Sequence, residues 1–538
     1  ETEQILAQVF TEVLNIDSVS IDDNFFEIGG HSLKAISVIN TIESQTDQRL
    51  PLKVIFENPT VRELATVFEK SISNHVVNHI PKADNKPYYL TSSPQKRLYV
   101  LNEMNKEQTT YNMPGILEIK GELDVEQVEN AFRNVINRHE SLRTYFDTVN
   151  GEPVQIIQNN VDFYLENKED IKSDYKELLN EFVRPFNLGQ APLMRAEIVK
   201  RDNNHYLLLV DMHHIISDGL SINLLVKEFS EFYQGQNLKP LGIQYKDYSE
   251  WMRNRDLEDQ KSYWLEQFQD EVPVIDLPYD YNRPSVQSFS GNTVKTTISK
   301  PLKEKLSRFT QFTNSTDYMV LLSVFTTLLH KYSRQEDIVV GSPISGRTHT
   351  DTEGIIGMFV NTLALRSYPT SEKTFEDLLE ETKELLLKAY DNQDYPFEEL
   401  VEEVVETRDL TRNPLFDVLF VLQNNESIDI QIPEWETNLV DTTIDSSKFD
   451  LSMTIEEDNN AYIVSIEYAD ELFKENTIER MLNHYVVLLE NLIESSQVPI
   501  GDIDMIDREE KELVLNTFNN TKTNSTSNET VIEVFENQ

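Results

Sequence analysis

Two adjacent histidines, His213 and His214, followed closely by Asp218 and Gly219, are the residues of this 538-residue sequence best suited to chemistry near neutral pH. They stand in the stretch Asp211-Met212-His213-His214-Ile215-Ile216-Ser217-Asp218-Gly219. A neutral imidazole can take a proton from a reacting group at physiological pH. A His-His-Asp cluster can also hold a metal, but the chain has no cysteine and no second histidine cluster to complete a ligand set. The plainer alternative is a pair of loop histidines satisfied by backbone partners. Ser32 is a second candidate: it follows Gly29-Gly30 and lands where a helix begins. Free N–H groups and the helix dipole favour a negative group there. A serine there can also be no more than an N-cap.

The elements around the histidines follow from periodicity. Tyr206 to Val210 is an apolar run that reads as a buried strand. Ile222, Leu225, Val226, Phe229 and Phe232 then recur at helical spacing. The motif therefore occupies a strand-to-helix loop, where α/β sheets place their chemistry. Successive residues of an extended chain point to opposite faces. One histidine can reach a cleft while the other packs or holds the loop. Gly219 permits close approach of backbone.

Ser32 belongs to a small helical region, residues 1–73. Ile5, Val9, Phe10 and Val13 mark a first helix, and Leu33, Ile36, Ile39 and Ile42 mark a second starting at Ser32. Thr60 with Glu63 is a capping-box pattern, followed by Leu64, Val67, Phe68 and Ile72. So small a bundle offers no strand elbow or oxyanion pocket, which argues against a Ser-His-Asp hydrolase.

Bulk properties narrow the classes further. The formal charge of -45 leaves nothing to neutralise phosphates or anionic lipid headgroups, so nucleic-acid and membrane partners are not expected. No apolar run reaches the roughly 18 residues of a membrane span. The lack of cysteine fits a reducing cytosol. A helical pattern already under way at Glu1 is what a piece of a longer chain would give.

Beyond a polar, proline-containing linker at 74–88, two α/β patterns follow each other. A proline-rich passage from Leu277 to Pro284 separates them, and only the first carries a histidine pair. Two similar lobes around one cleft are expected, with bounds of 89–275 and 276–505. Residues 506–538 read as a link into something further.

Seven strings carry a family resemblance when taken together. They are Thr91 to Tyr99, Arg138 to Phe146, Asp211 to Gly219, Tyr245 to Trp251, Gly357 to Leu363, Asn392 to Glu398 and Arg408 to Phe416. In this order they resemble the condensation domains of nonribosomal peptide synthetases, within the chloramphenicol-acetyltransferase-like superfamily. Asp23-Asn24-Phe25-Phe26-Glu27-Ile28-Gly29-Gly30-His31-Ser32-Leu33 resembles the signature of their peptidyl carrier domains.

The resemblance implies an all-α four-helix carrier bundle. An α/β condensation domain of two lobes would follow, forming a V-shaped pseudo-dimer. It implies 4′-phosphopantetheine on Ser32, installed by a phosphopantetheinyl transferase from coenzyme A. It implies amide-bond formation between a donor thioester and a downstream aminoacyl thioester. His214 would act as base or positioner, His213 and Asp218 would shape the loop, and Arg143 would pair with Asp218. Adenylation domains upstream and downstream and a downstream carrier would be partners. Heterocyclisation relatives carry aspartates in place of the histidines. Gly-Gly-His-Ser-Leu differs from the Gly-Gly-Asp-Ser-Ile usual in carriers that feed epimerisation domains, and Arg-His-Glu-Ser-Leu-Arg-Thr and Ser-Asp-Gly-Leu-Ser resemble condensation domains of the L-donor, L-acceptor type. The alternatives are an epimerisation-type domain and a non-catalytic docking platform.

Overall fold

The computed structural model describes residues 2–30, 32–46, 48, 50–70, 79–170, 173–405, 409, 411–423, 430, 432–440, 446–458, 461–521 and 530–537. The side chains of Ser32 and Leu33, linker residues 74–78, Arg408 and Leu410 of the last motif, and most of the polar stretch before Asn528 lie outside this set.

Among the described residues the front region has four helices: α1 (Thr2–Leu14), α2 (Ser32–Thr46), α3 (Lys53–Glu57) and α4 (Val61–Lys70). Leu6, Val9, Phe10 and Leu14 of α1 meet Ala35, Val38 and Ile42 of α2 and Val61 and Leu64 of α4 in one apolar core. The Thr60/Glu63 capping box forms, with Glu63 N–H donating to Thr60 Oγ1 at 3.2 Å and Thr60 N–H to Glu63 Oε2 at 3.3 Å. The loop before Ser32 is built on aromatics. Phe10, Phe25, Phe26 and Phe56 follow one another at ring separations of 5.0, 5.2 and 4.9 Å. Gly30 lies against this cluster so closely that a Cβ there would sit 2.4 Å from the Phe25 ring. Gly29 takes a φ of +100° to bring the chain in. The aromatic core thus dictates where α2 starts.

The rest forms two lobes, each a sheet covered by helices. The first lobe's five-stranded sheet runs in the order Trp435–Val440, Gly115–Gly121, His205–Met212, Met194–Asp202, Leu165–Glu169. Helices Val125–Arg138 and Gly219–Tyr233 pack on it through Val128, Phe132, Leu225 and Phe229. The second lobe's six-stranded sheet runs Asn361–Ser367, Ile338–Ile344, Val418–Gln423, Leu451–Asp458, Ala461–Ala469, Gly291–Ile298. The apolar helix Asp317–Ser333 lies against it, buried from Met319 to His330.

The lobes are not independent. Trp435–Val440 belongs in sequence to the stretch 276–505, yet it pairs antiparallel with Gly115–Gly121 of the first sheet. Trp435 buries its ring against Tyr233 at 4.6 Å and donates its indole N–H to the Glu122 carbonyl. The second lobe therefore lends the first a strand, which fixes the cleft between them.

The linker at 74–88 is tied down at its described end. Ile80 N–H donates to Asp351 Oδ2 at 2.9 Å, Ala83 N–H to Asp247 Oδ1 at 2.8 Å, and Lys86 Nζ to Glu250 at 2.8 Å. Backbone N–H groups without a strand or helix take carboxylates instead. No helix among the described residues is long and apolar enough to cross a membrane.

Candidate active site

The strand His205–Met212 delivers His213 and His214 to the lobe interface. Each histidine N–H is spent on the backbone: His213 on the Leu193 carbonyl at 3.0 Å, His214 on the Tyr111 carbonyl at 2.8 Å. A short 3-10 turn, His214–Ile216, then leads through Ser217 to Asp218, which caps helix Gly219–Tyr233.

The two imidazoles part company at this turn. His213 is 3% exposed, and its Nδ1 accepts the Ile215 N–H at 3.1 Å. Its ring meets Phe186 edge-on. Burial, with help from His214 and Lys448, pushes its pKa down to about 3, so it stays neutral. His214 is half-buried and lines a cavity of about 1860 Å³ between the lobes. Its Nδ1 lies 2.9 Å from the Ser217 carbonyl. A carbonyl can only accept, so Nδ1 carries the proton and Nε2 keeps its lone pair. Burial lowers the His214 pKa, Lys448 lowers it further, and Asp218 opposes them. The unprotonated ring is therefore the form present at neutral pH.

Asp218 is 1% exposed and wholly engaged. Oδ1 accepts the Ser221 N–H at 2.8 Å and lies 3.3 Å from Arg347 Nη2; Oδ2 accepts the Phe359 N–H at 3.0 Å. It holds the loop. Arg347 also donates to Ser221 Oγ at 2.8 Å and to the Ile355 carbonyl at 2.8 Å, and lies over the Phe359 ring.

The expected pairing of Arg143 with Asp218 is not what forms. Arg143 donates to the Ile136 carbonyl at 3.2 Å, the Asn159 carbonyl at 3.4 Å, and the Gln158 carbonyl. It sits at the end of the 3-10 turn Glu140–Arg143, directly after helix Val125–Arg138. The last carbonyls of that helix lack partners within it, and a cation there satisfies them. The partner of Asp218 comes from the other lobe, and only the fold reveals it. Gly219 is exposed, and a Cβ there would meet nothing within 4 Å. Among the described residues nothing closes on it.

The remaining motifs converge on this loop. Gln95 Nε2 donates to the Ile215 carbonyl at 3.1 Å. Ser92 Oγ bonds the Tyr245 hydroxyl at 2.8 Å, and that hydroxyl donates to the Met358 carbonyl. Gly357 N–H donates to Ser221 Oγ at 3.1 Å. Asn361 Nδ2 donates to the Gln393 and Tyr395 carbonyls, and its Oδ1 accepts the Phe397 N–H. Five of the other six strings thus brace the cavity wall or a helix end.

Three side chains here were given no role by the sequence. Lys448 lines the cavity with its ammonium 4.9 Å from the Tyr111 ring centre, and burial lowers its pKa. Glu398 lines it too, 3.6 Å from Arg97, with its carboxyl pushed up by burial. Asp211 is fully buried, bonded by Asn112 Nδ2 at 2.8 Å, and raised by burial to about 6. Asp211 opens the histidine string and Glu398 closes the string Asn392 to Glu398, so both stood inside a signal; Lys448 lies outside every string and had none.

The cavity exceeds the roughly 300–1,000 Å³ of an ordinary small-molecule pocket, and suits two extended reactants meeting at His214. In the front region α2 begins at Ser32 and has no acidic residue in its first turn. That N-terminus fits a phosphodiester.

Comparison with known proteins gives two family matches: the phosphopantetheine attachment site over residues 4–68 and the condensation domain over residues 85–515. Bacitracin synthase 3 of Bacillus licheniformis is 42% identical over 99% of this chain and 8% of that protein. Tyrocidine synthase 3 of Brevibacillus parabrevis is 42% identical over 100% of this chain and 10% of that protein. The chain thus spans about a tenth of the length of these relatives. Among solved structures, the X-domain from teicoplanin biosynthesis matches with a TM-score of 0.74 at 22% identity, covering 80% of this chain and all of that one. The first condensation domain of the CDA synthetase matches at 0.65 and 16% identity, covering 78% and 99%. At such identities the structural likeness speaks to fold alone.

Proposed function

This chain belongs to the condensation-domain family, with a phosphopantetheine-attachment domain in front, and on that footing we propose that it forms amide bonds within a nonribosomal peptide synthetase. The observation that carries the reading is His214 at the wall of the inter-lobe cavity with its Nδ1 turned to the Ser217 carbonyl, which leaves the lone pair on Nε2. The phosphopantetheine arm, when attached at Ser32, supplies a thiol that holds the donor acyl group as a thioester.

An α-amine has a pKa near 8 and must attack unprotonated. The amine nitrogen bonds to the thioester carbon and the C–S bond breaks. The proton shed by nitrogen passes to Nε2 of His214 and from there to the leaving sulfur. A thiolate leaves readily, with an ordinary pKa near 8.5, so no strong acid is required. Holding the two reactants in line supplies a large share of the acceleration. Asp218, through Ser221, Arg347 and Phe359, fixes the loop that aims the imidazole. His213 anchors its root.

Gly-Gly-His-Ser-Leu and Ser-Asp-Gly-Leu-Ser support an L-configured donor. Adenylation domains on either side, a downstream acceptor carrier, and a phosphopantetheinyl transferase using coenzyme A are the partners this role requires, in a bacterial cytoplasm. A docking platform would have no use for an imidazole with an open lone pair in a cavity.

The test loads Ser32 with an aminoacyl-pantetheine, adds an acceptor thioester and follows dipeptide by intact mass. His214→Ala should lower the yield at least about a hundredfold; equal yield removes the assignment. Ser32→Ala should gain no arm mass from the transferase and coenzyme A.

A further inference from the structure

The short turn Thr350–Thr352 of the second lobe touches the carrier and its linker at once. Asn40 of α2 is 2% exposed and directs its Nδ2 at the Arg347 carbonyl, 3.4 Å away. Thr350 Oγ1 donates to the Asn40 carbonyl at 3.3 Å. On the same turn Asp351 takes the Ile80 N–H at 2.9 Å and faces His79 Nδ1 at 3.3 Å. The two contacts made by the carrier helix itself are neutral hydrogen bonds, whereas the linker is held by the Asp351 carboxylate, all within one strongly acidic chain. Such a seat is specific yet weak enough to leave.

The segment that offers this seat also holds the catalytic loop. Arg347 gives its carbonyl to Asn40 and its guanidinium to Asp218 and Ser221. Gly357 and Phe359, a few residues on, donate their N–H groups to Ser221 and Asp218. One buried residue therefore links the carrier and the histidine loop, with no intervening side chain.

We propose that the turn Thr350–Thr352 is a docking seat for the second helix of a carrier domain, and that Arg347 beneath it is a positioning residue which passes seating on to the His214 loop. The idea rests on the reaction proposed above, but its structural content does not need turnover. A carrier helix that presents an amide side chain eight residues past its serine satisfies the Arg347 carbonyl, which fixes the residue whose other end fixes Asp218. A departed carrier frees that carbonyl and lets the pair relax. The histidine loop is then set most firmly while a carrier is seated. The serine lies about 12 Å along α2 from Asn40.

The test reads His214 directly. In the holo chain with labelled histidine, the His214 ring signal is identified by its loss in His214→Ala. Asn40→Ala and, separately, Thr350→Val should each shift that signal while the carrier's own core amide signals stay in place. In a Ser221→Ala background, which removes one hold of Arg347 on the loop, at least about half of the shift should vanish, the non-additivity of coupled residues. An unmoved His214 signal in both single variants overturns the proposal, as does a shift of equal size with and without Ser221. If His214→Ala still made dipeptide, the proposed reaction would fail while this coupling could stand.

Discussion

The two lobes use the same local device for opposite ends. In the first, strand His205–Met212 runs out into a tight turn that presents an imidazole to the cleft. In the second, strand Ile338–Ile344 runs out into Gly346 and Arg347, and the charged group is turned inward, 8% exposed. The lobes meet where Arg347 reaches Asp218. One strand end is kept open to react, and the other is closed so that the first keeps its shape. The reactive loop is therefore a product of both lobes, although all of the loop's own residues lie in one.

Arg347→Leu breaks this arrangement most severely. It leaves Asp218 buried without its cation, a situation that costs about 3–5 kcal/mol. Urea unfolding should show that loss, and dipeptide formation should fall at least about a hundredfold, because the loop no longer aims His214. Arg143→Leu is the contrast. Its bonds run to backbone carbonyls at a half-exposed helix end, so about 1 kcal/mol is expected, with activity within a few-fold of wild type. A more damaging Arg143 variant would reverse the comparison.

That pair of arginines also marks how far the sequence could be read. Periodicity located the strand and helix around the histidines, and alternation along the strand separated His213 from His214. Those are local signals. The carrier loop was legible for the same reason, since its aromatics, glycines and capping box act within a few residues. The partner of Asp218 was not legible. Arg143 and Arg347 both follow apolar elements, and nothing in one dimension says which of them crosses the cleft. Nor does sequence order say that Trp435–Val440 joins the first sheet. Long-range closure, set by how the two sheets pack, decided both.

Lys448 sharpens the comparison on the second lobe's side of the cavity. Its charge acts on both histidines and lowers both pKa values, after burial. Removing it in Lys448→Met should raise the His214 pKa. The base is then protonated at a higher pH, so the acid limb of the pH–rate profile moves upward. The variant should lose more activity near pH 6 than near pH 8, where His214 is neutral in both proteins. A profile scaled down evenly would mean that Lys448 only shapes the cavity.

An effect on stability alone concerns the root of the first loop. Asp211 is fully buried one strand residue before Met212, with Oδ2 bonded by Asn112 and 3.7 Å from Arg195 Nε. Its Oδ1 has no partner among the described residues. Burial raises its folded pKa to about 6, above the ordinary carboxylate value of 3.8. The folded protein thus binds this proton more tightly than the unfolded chain does. Its contribution to stability is full below the unfolded pKa and is lost as pH rises through about 6, at most about 3 kcal/mol. Asp211→Asn keeps the hydrogen-bonding shape without the titration. Its urea midpoint should therefore change less than the wild type's between pH 4 and 7. Asp417 of the second lobe, also raised to about 6 by burial and by Asp450, keeps its own share of the slope in both proteins. If Asp211→Asn left the wild-type pH dependence intact, the carboxylate would be stabilised as an anion by Arg195, and both roots would then be held by ion pairs.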